Sequence, residues 1–424
     1  MKPPKKIVLK NGLRILLVPQ PENLAATVFI LVEAGSEYEA KRLSGVSHFL
    51  EHLMFKGTVN RPKPGMIDHE LASLGAQYNA FTDQEHTGYY VKVQAEKLPK
   101  ALEIISDLYL NPIFNPEEVE KERNVIIQEI NMDEDDLPTR AYRNFSALVY
   151  GDQPAGWDVA GTRKTVRALS RKDVMDYRDE HYVMPGTVVV VSGRFNEAKT
   201  VAQIKNIFGG LKRRPKLAKK ATRGRQTSPR AAVQFKESDQ AHLVLGFRAF
   251  TTFDKRKYAL RLMASILGSG MSSRLFRRVR EELGAAYYVG AGTDLSIDHG
   301  LFHVTAGVDH AKLQIVIKAI LEECRRIRDE LVPLAEFKKS QDQMIGSIIL
   351  GLETSDELAS FYGTQEIVAR SVLPPEKIIA KIKKITPADV QAVAKAVIRE
   401  QGLNLALVGP YKNPKPFKKL LKLS

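Results

Sequence analysis

Three residues in the first quarter of the chain have the types and spacing of a metal-dependent site that activates water. His48, Glu51 and His52 lie in a stretch with Ser44 as a predicted N-cap, Gly57 as a stop and apolar residues at helical spacing. Histidines four positions apart project from one face of a helix, so both imidazoles can bind one zinc ion. Glu51 is then placed to act as the general base toward water. The alternative is a pair of partly buried histidines on an amphipathic helix.

A second predicted helix, residues 115–130, supplies further carboxylates. Glu122 and Glu129 are two turns apart and share a face with apolar side chains such as Ile126. Burying a carboxylate among apolar groups is costly unless a cation or donor compensates it. We therefore predict Glu129 as the third metal ligand and Glu122 as a carboxylate that orients a histidine or the water. The alternative, ion pairs with the adjacent basic residues, is weaker because those residues point to other faces.

The composition is that of a globular protein, and the excess of positive charge lies in three short segments. The 424 residues are 44% hydrophobic and 27% charged, with a net charge of +15. Residues 2–6, 212–230 and 412–422 hold seventeen Lys and Arg and no acid, so the remainder is nearly neutral. We expect solvated tails, an extended solvated linker and no specific nucleic-acid partner. A single cysteine, no apolar leader and no membrane-spanning run predict a cytoplasmic protein without a transmembrane segment.

An internal repeat predicts two related domains. Residues 169–174 resemble residues 385–390, and residues 188–193 resemble residues 404–409, with the same separation of 216 positions. Each copy is predicted to form a capped helix and then an apolar strand that ends at glycine. Chance similarity of two ordinary helix–strand units is the alternative, and the constant separation favours duplication.

The predicted elements indicate an α+β fold. An N-terminal hairpin and further strands are interspersed with helices, which favours an antiparallel or mixed β-sheet packed against α-helices in each domain. We predict an N-terminal zinc-binding catalytic domain at residues 1–211 and a basic linker at residues 212–231. A related C-terminal domain follows at residues 232–424 and contains no H-x-x-E-H motif.

The metal motif and three further stretches resemble one protein family. His48-x-x-Glu51-His52, with Glu122 and Glu129 downstream, is similar to the inverted zincin motif of the pitrilysin/insulinase family of zinc peptidases. The chain most resembles the short-chain branch that contains mitochondrial processing peptidase and its bacterial homologues. The other similar stretches are residues 79–82, 273–276 and 280–287.

This resemblance implies an activity. It implies a metalloendopeptidase with one Zn²⁺ per chain that hydrolyses unstructured peptides or presequence-like segments. The family architecture implies a homodimer that encloses a chamber. The alternative function is a non-catalytic assembly or peptide-binding subunit of a processing-peptidase-like complex, and the complete set of metal-site residues disfavours it.

The resemblance also implies residues that contact the substrate. The strand that pairs with extended substrate is matched by Asn79, Ala80, Phe81 and Thr82. Arg280 and Tyr287 resemble an arginine–tyrosine pair that holds the substrate backbone and stabilises the oxyanion. Tyr288 is the alternative to Tyr287. A heterodimer is disfavoured because this pair occurs on the same chain as the metal motif.

Overall fold

Two mixed β-sheets organise the chain in a computed structural model that describes residues 3–423. The strands are β1 (Lys5–Val8), β2 (Arg14–Pro19), β3 (Ala25–Val32), β4 (Gln77–Thr82), β5 (Thr87–Gln94), β6 (Thr187–Gly193), β7 (Arg230–Phe235), β8 (Ala241–Arg248), β9 (Ala286–Leu295), β10 (Gly300–Val308) and β11 (Asn404–Gly409). The first sheet has the order β1-β2-β6-β3-β5-β4 and the second has the order β7-β11-β8-β10-β9.

Helices pack on these sheets and form the longer connections between strands. They are α1 (Val46–Met54), α2 (Met66–Ser73), α3 (Leu98–Leu110), α4 (Pro116–Asp135), α5 (Leu137–Tyr150), α6 (Arg163–Ala168), α7 (Arg171–His181), α8 (Glu197–Phe208), α9 (Lys257–Gly268), α10 (Leu313–Asp329), α11 (Leu334–Leu350), α12 (Ser355–Ala369), α13 (Pro375–Lys383), α14 (Pro387–Val397) and α15 (Lys415–Lys418). Within residues 3–423, none of the helices has both the length and the apolar character that crossing a bilayer requires.

The repeat predicted from the sequence is present in both sheets. Strand β6 lies between a parallel neighbour, β2, and an antiparallel neighbour, β3, and β11 lies in the same way between β7 and β8. The preceding helices α7 and α14 begin with capping boxes, formed by Ser170 with Asp173 and by Thr386 with Asp389. The predicted α+β fold with two related sheet-and-helix domains is confirmed.

Strand β6 separates two apolar cores in the first unit. It is buried along its whole length, which explains its continuous apolar sequence. Because successive side chains point to opposite faces, Val189 and Val191 enter the core under α1 and α3. Val188 and Val190 enter a smaller core on the other face.

The smaller core is closed by a helix from the second half of the sequence. Leu358 and Tyr362 of α12 are fully buried against strands β2, β3 and β6. Glu366 of the same helix is fully buried and pairs with Arg14 of β2 at 3.1 Å. Helix α12 therefore belongs to the first sheet although it lies far beyond the linker in sequence.

The second sheet receives a helix from the first half in the same way. Phe145 and Val149 of α5 pack against Val244 of β8 and Ala406 of β11. Arg140 of α5 also donates a hydrogen bond from Nε to Oε1 of the β7 residue Gln234 at 2.6 Å. The two repeats have thus exchanged the helix that covers one face of each sheet.

The chain divides into two compact units, and each unit includes the helix that it receives from the other half of the sequence. The first unit comprises the chain up to Ile130, Asp158–Lys220 and Ile349–Pro375, and the second comprises Asn131–Trp157, Ala221–Ile348 and the chain from Glu376. These units differ from the contiguous ranges predicted from the sequence in the two exchanged segments. Local periodicity shows that a segment is helical but does not show which sheet it covers.

The basic linker is only partly solvated. Residues 212–229 contain no helix or strand, as an extended linker requires. The Lys219 side chain, however, is 3% exposed and pairs with Glu37, and Lys216 pairs with Glu33. Buried carboxylates need cationic partners, and the linker supplies them. The expectation of a solvated linker is therefore wrong for Lys219, whereas most other residues of the segment are exposed.

Two glycine-to-alanine substitutions test the position of α12. At Gly363 in α12 a Cβ atom would lie 2.5 Å from Leu31 Cδ1 and 3.1 Å from Val190 Cγ2, whereas at Gly346 in α11 it would meet nothing within 4 Å. Alanine is the better helix former by ~1 kcal/mol, and overpacking a core costs ~1–3 kcal/mol. Scanning calorimetry should show that Gly346→Ala raises the midpoint of thermal unfolding and that Gly363→Ala lowers it. A rise in both variants would contradict the packing of α12 on the first sheet.

Candidate metal centre

Helix α1 presents polar side chains on one side and an apolar stripe on the other. The side chains of His48 and His52 are 20% and 18% exposed. The fully buried stripe consists of Phe49, Leu50, Leu53 and Met54. Packing of this stripe on the core under the first sheet fixes the helix and thereby the direction of the two imidazoles.

A buried carboxylate holds the start of α1. The two oxygens of Glu39 accept the N–H groups of Gly45 and Ser47, each at 2.8 Å. Gly45 is the N-cap with φ of 96°, so the prediction of Ser44 as N-cap is wrong by one position. Burial raises the pKa of Glu39 to about 8, and the two N–H donors act in the opposite direction.

Three donor atoms from α1 and α4 converge. Nε2 of His48 and Nε2 of His52 are 3.3 Å apart, and Oε2 of Glu129 lies 3.8 Å from the first and 3.5 Å from the second. Ligand atoms bound ~2.0–2.1 Å from a tetrahedral metal ion are about 3.3 Å apart, so this spacing fits one zinc ion. Two imidazole nitrogens and a carboxylate oxygen are also a ligand set that suits Zn²⁺.

Glu122 contacts the outer nitrogen of a candidate ligand and is itself held by a lysine. Its Oε2 is 3.2 Å from Nδ1 of His52, and its Oε1 is 2.8 Å from Nζ of Lys56. With Nδ1 as the donor, Nε2 of His52 keeps its lone pair on the side of His48 and Glu129. Burial acts to raise the pKa of Glu122, but the hydrogen bonds from His52 and Lys56 outweigh it and lower that pKa. Glu122 is therefore ionised where an orienting carboxylate is needed.

The carboxylate of Glu51 points toward strand β4. The Oγ1 hydroxyl of Thr82 donates a hydrogen bond to Oε2 of Glu51 at 2.8 Å. Burial raises the pKa of Glu51, while the Thr82 hydroxyl and the His52 ring act to lower it. Burial acts to lower the pKa of His52, but the Glu122 hydrogen bond and the charges of Glu129 and Glu51 raise it overall. Negative charge thus surrounds the two imidazoles, which favours a bound cation.

The predicted substrate strand is present as the edge strand β4, but its side chains divide between two faces. Within residues 3–423 it pairs with β5 alone. Ala80 packs on the core that contains α1, whereas Phe81 packs on the opposite face with its ring centroid 5.9 Å from that of Phe29. Oδ1 of Asn79 accepts the N–H of Ala80 at 2.9 Å. What these residues share is therefore the outer backbone edge rather than one side-chain surface.

Arg280 and Tyr287 lie in two elements of the second unit. Arg280 belongs to a π-helical turn, with its guanidinium carbon 5.1 Å from the centroid of the Phe276 ring. Tyr287 of β9 is 64% exposed. Tyr288 has its hydroxyl 3.1 Å from Nδ1 of His242. Of the two adjacent tyrosines, Tyr287 is the more exposed.

Sequence reasoning missed three contacts in the centre. Lys56 follows His52 by four residues, so helical spacing alone could have brought it to the same side. Glu39 and Thr82 reach α1 from segments on either side of it in sequence, and no periodicity connects them with the histidines. Thr82 was predicted to contact substrate, whereas in the structure its hydroxyl contacts Glu51.

Comparison with known sequences gives matches along most of the chain. Residues 14–163 match the insulinase (peptidase family M16) model, and residues 168–344 match the peptidase M16 inactive domain. A protein of Streptomyces coelicolor named "uncharacterized zinc protease" is 33% identical, over 96% of this chain and 90% of its own. The Bacillus subtilis protein of that description, YmxG, is 29% identical over 96% of this chain and 99% of its own.

Solved structures share the fold. A protease from Helicobacter pylori superimposes with a TM-score of 0.89 at 24% identity, over 97% of this chain and 100% of that one. A Pseudomonas fluorescens structure described as a peptidase M16 inactive domain gives a TM-score of 0.89 at 17% identity, with the same coverage. With two family matches in succession and a zinc-protease relative along nearly its whole length, the chain belongs to the insulinase family, peptidase family M16.

Proposed function

We propose that the protein is a zinc-dependent metalloendopeptidase with one Zn²⁺ per chain. The observation that carries the proposal is the convergence of donor atoms from His48, His52 and Glu129, which would hold the ion beside Glu51. When bound, zinc supplies Lewis-acid activation of water and of the scissile carbonyl. The second half contains no H-x-x-E-H motif, which supports one ion per chain.

In this proposal Glu51 carries the proton through the reaction. It takes a proton from the attacking water and gives it to the leaving amine as the peptide bond breaks. Glu122 keeps the ring of His52 in one orientation and one tautomer, and Lys56 keeps Glu122 ionised in that position. Arg280 and Tyr287 bind the substrate backbone and donate hydrogen bonds to the developing oxyanion.

The substrate class we propose is unstructured peptide, including presequence-like segments. The support is the outer edge of β4, which within residues 3–423 pairs with no further strand and can accept an extended peptide as an additional strand. Most backbone groups of a folded domain are already paired within it, so an unstructured peptide supplies such a strand more readily. We further propose that two chains form a homodimer around a closed chamber, because each chain carries both the metal ligands and the arginine–tyrosine pair.

The single, buried Cys324 suits a reducing compartment, so we place the protein in the cytoplasm.

Two variants should distinguish a residue that binds zinc from a residue that is needed only for hydrolysis. Wild-type protein supplied with zinc should contain about one Zn²⁺ per chain by elemental analysis, and His48→Ala should lose it because one ligand is gone. Glu51→Gln should keep the zinc and lower kcat on unstructured peptides by ~100-fold or more, because a general base is removed. Cleavage is followed by mass spectrometry of a peptide library.

The control for the histidine substitution is His69→Ala, which alters an exposed histidine of helix α2. It should retain both zinc and activity. Wild-type protein that binds no zinc would refute the metal assignment. Wild-type protein that binds zinc and peptides but cleaves none would instead support the non-catalytic peptide-binding alternative.

The proposed homodimer can be tested by complementation. If the metal ligands of one chain work with Arg280 and Tyr287 of the other, a mixture of inactive Glu51→Gln and Tyr287→Phe proteins forms dimers with one doubly defective site and one intact site. Such mixed dimers should recover up to half of the wild-type activity. Subunit exchange is verified by fluorescence energy transfer between labelled chains. Exchange without recovered activity would mean that each site is formed within a single chain.

A further inference from the structure

We propose that Thr82 is a positioning residue whose hydroxyl fixes the carboxylate of Glu51 for proton transfer. This inference rests on the proposed peptidase function and gives Thr82 a different role from the substrate contact expected from sequence resemblance. The observation behind it is the 2.8 Å hydrogen bond from Thr82 Oγ1 to Glu51 Oε2, which joins strand β4 to helix α1.

The donor is held rigidly on the sheet. Thr82 is the last residue of β4 and is paired with Thr87 in the register of β4 and β5. Its β-branched side chain has few χ1 states, so fixing the strand also fixes the hydroxyl. Ala80, two positions earlier, packs on the core that contains α1, which places the Thr82 side chain on that same face.

The acceptor needs such a restraint. A glutamate has three side-chain torsions, and ordering a side chain of this kind costs up to ~1.5–2 kcal/mol. Within residues 3–423, the Thr82 hydroxyl is the one group that donates a hydrogen bond to the Glu51 carboxylate. With Oε2 bound to Thr82, Oε1 is the oxygen that remains for the proton of the attacking water. A general base must be held within hydrogen-bond reach of that proton, so freedom at Glu51 lowers the fraction of productive geometries.

The two possible roles of Thr82 predict different kinetics. If its side chain binds substrate, removing the hydroxyl raises KM. If it positions Glu51, the loss affects the reacting complex, so kcat falls and KM does not change. Thr82 lies on the strand that is proposed to pair with substrate. Removing its hydroxyl leaves the backbone free to pair with a peptide, so the kinetics report on the side chain alone.

The experiment compares Thr82→Val, Thr82→Ser and Thr27→Val with the wild type. Thr82→Val keeps the shape and removes the hydroxyl, and Thr82→Ser keeps the hydroxyl. Thr27 is the matched control, because it is a buried strand threonine of the first unit whose hydroxyl bonds to Ser355 Oγ at 2.8 Å rather than to Glu51. The measurements are kcat and KM on an unstructured peptide, the dissociation constant for zinc by chelator competition, and the thermal unfolding midpoint.

We expect Thr82→Val to lower kcat by roughly 10-fold or more with KM and zinc affinity unchanged, and Thr82→Ser to restore most of kcat. Thr27→Val should leave kcat unchanged even if it lowers the unfolding midpoint.

Should Thr82→Val fail to fold, Thr82→Ala makes the same test. Active wild type with an unchanged kcat or a raised KM in Thr82→Val or Thr82→Ala would overturn this inference alone. Zinc-loaded wild type without peptidase activity would overturn the proposed function and this inference together.

Discussion

Carboxylates placed inside the first unit shape much of its architecture, because each one requires a cation or an N–H donor where water is excluded. Glu39 is satisfied by the backbone at the start of α1, Glu366 by Arg14 from the first sheet, and Glu37 by Lys219 from the linker. The pairs made by Glu366 and Glu37 join segments that are distant in sequence, whereas the contacts of Glu39 are local. Glu129 is different, since its side chain is 39% exposed and within residues 3–423 its ion-pair partners are the two histidines alone. An arrangement of this kind is stabilised when a divalent ion lies between the groups.

The candidate centre obtains its rigidity from elements that are fixed for other reasons. Helix α1 is anchored by its apolar stripe, α4 by apolar residues on the face that also carries Glu122, and β4 by its ladder with β5. Each polar side chain therefore extends from backbone that is already ordered. A contact such as that between Lys56 and Glu122 then only has to fix the orientation of a side chain, because the backbone that carries it is already in place.

The sequence predicts the centre better than it predicts the domain organisation. The spacing of His48 and His52 depends only on helical geometry, and the apolar face of α4 indicates Glu122 and Glu129 as the glutamates on the side of the site. The burial of the α4 glutamates does not follow this face closely, because Glu118 is also buried and Glu129 is 39% exposed. The repeat is also detectable, because its copies keep the same caps and the same glycine after the strand. The exchange of α5 and α12 and the contact of Thr82 with Glu51 depend on tertiary packing between separate segments, which local patterns do not encode. The pairing of Lys219 with buried carboxylates shows the same limit, since a run of basic residues is typical of solvated chain.

The position of α12 in the sequence has a consequence for biosynthesis. All strands of the first sheet have been made when the ribosome reaches Gly193, but the helix that covers their second apolar face ends only at Ala369. At ~5–20 residues per second, that face remains uncovered for about 10–35 s during translation. During that interval the exposed valines and leucines are open to intermolecular association, as in other slow-folding chains. The nascent chain should therefore depend on chaperones more than its two-unit architecture suggests, and truncation before α12 should yield an aggregating product rather than a folded half.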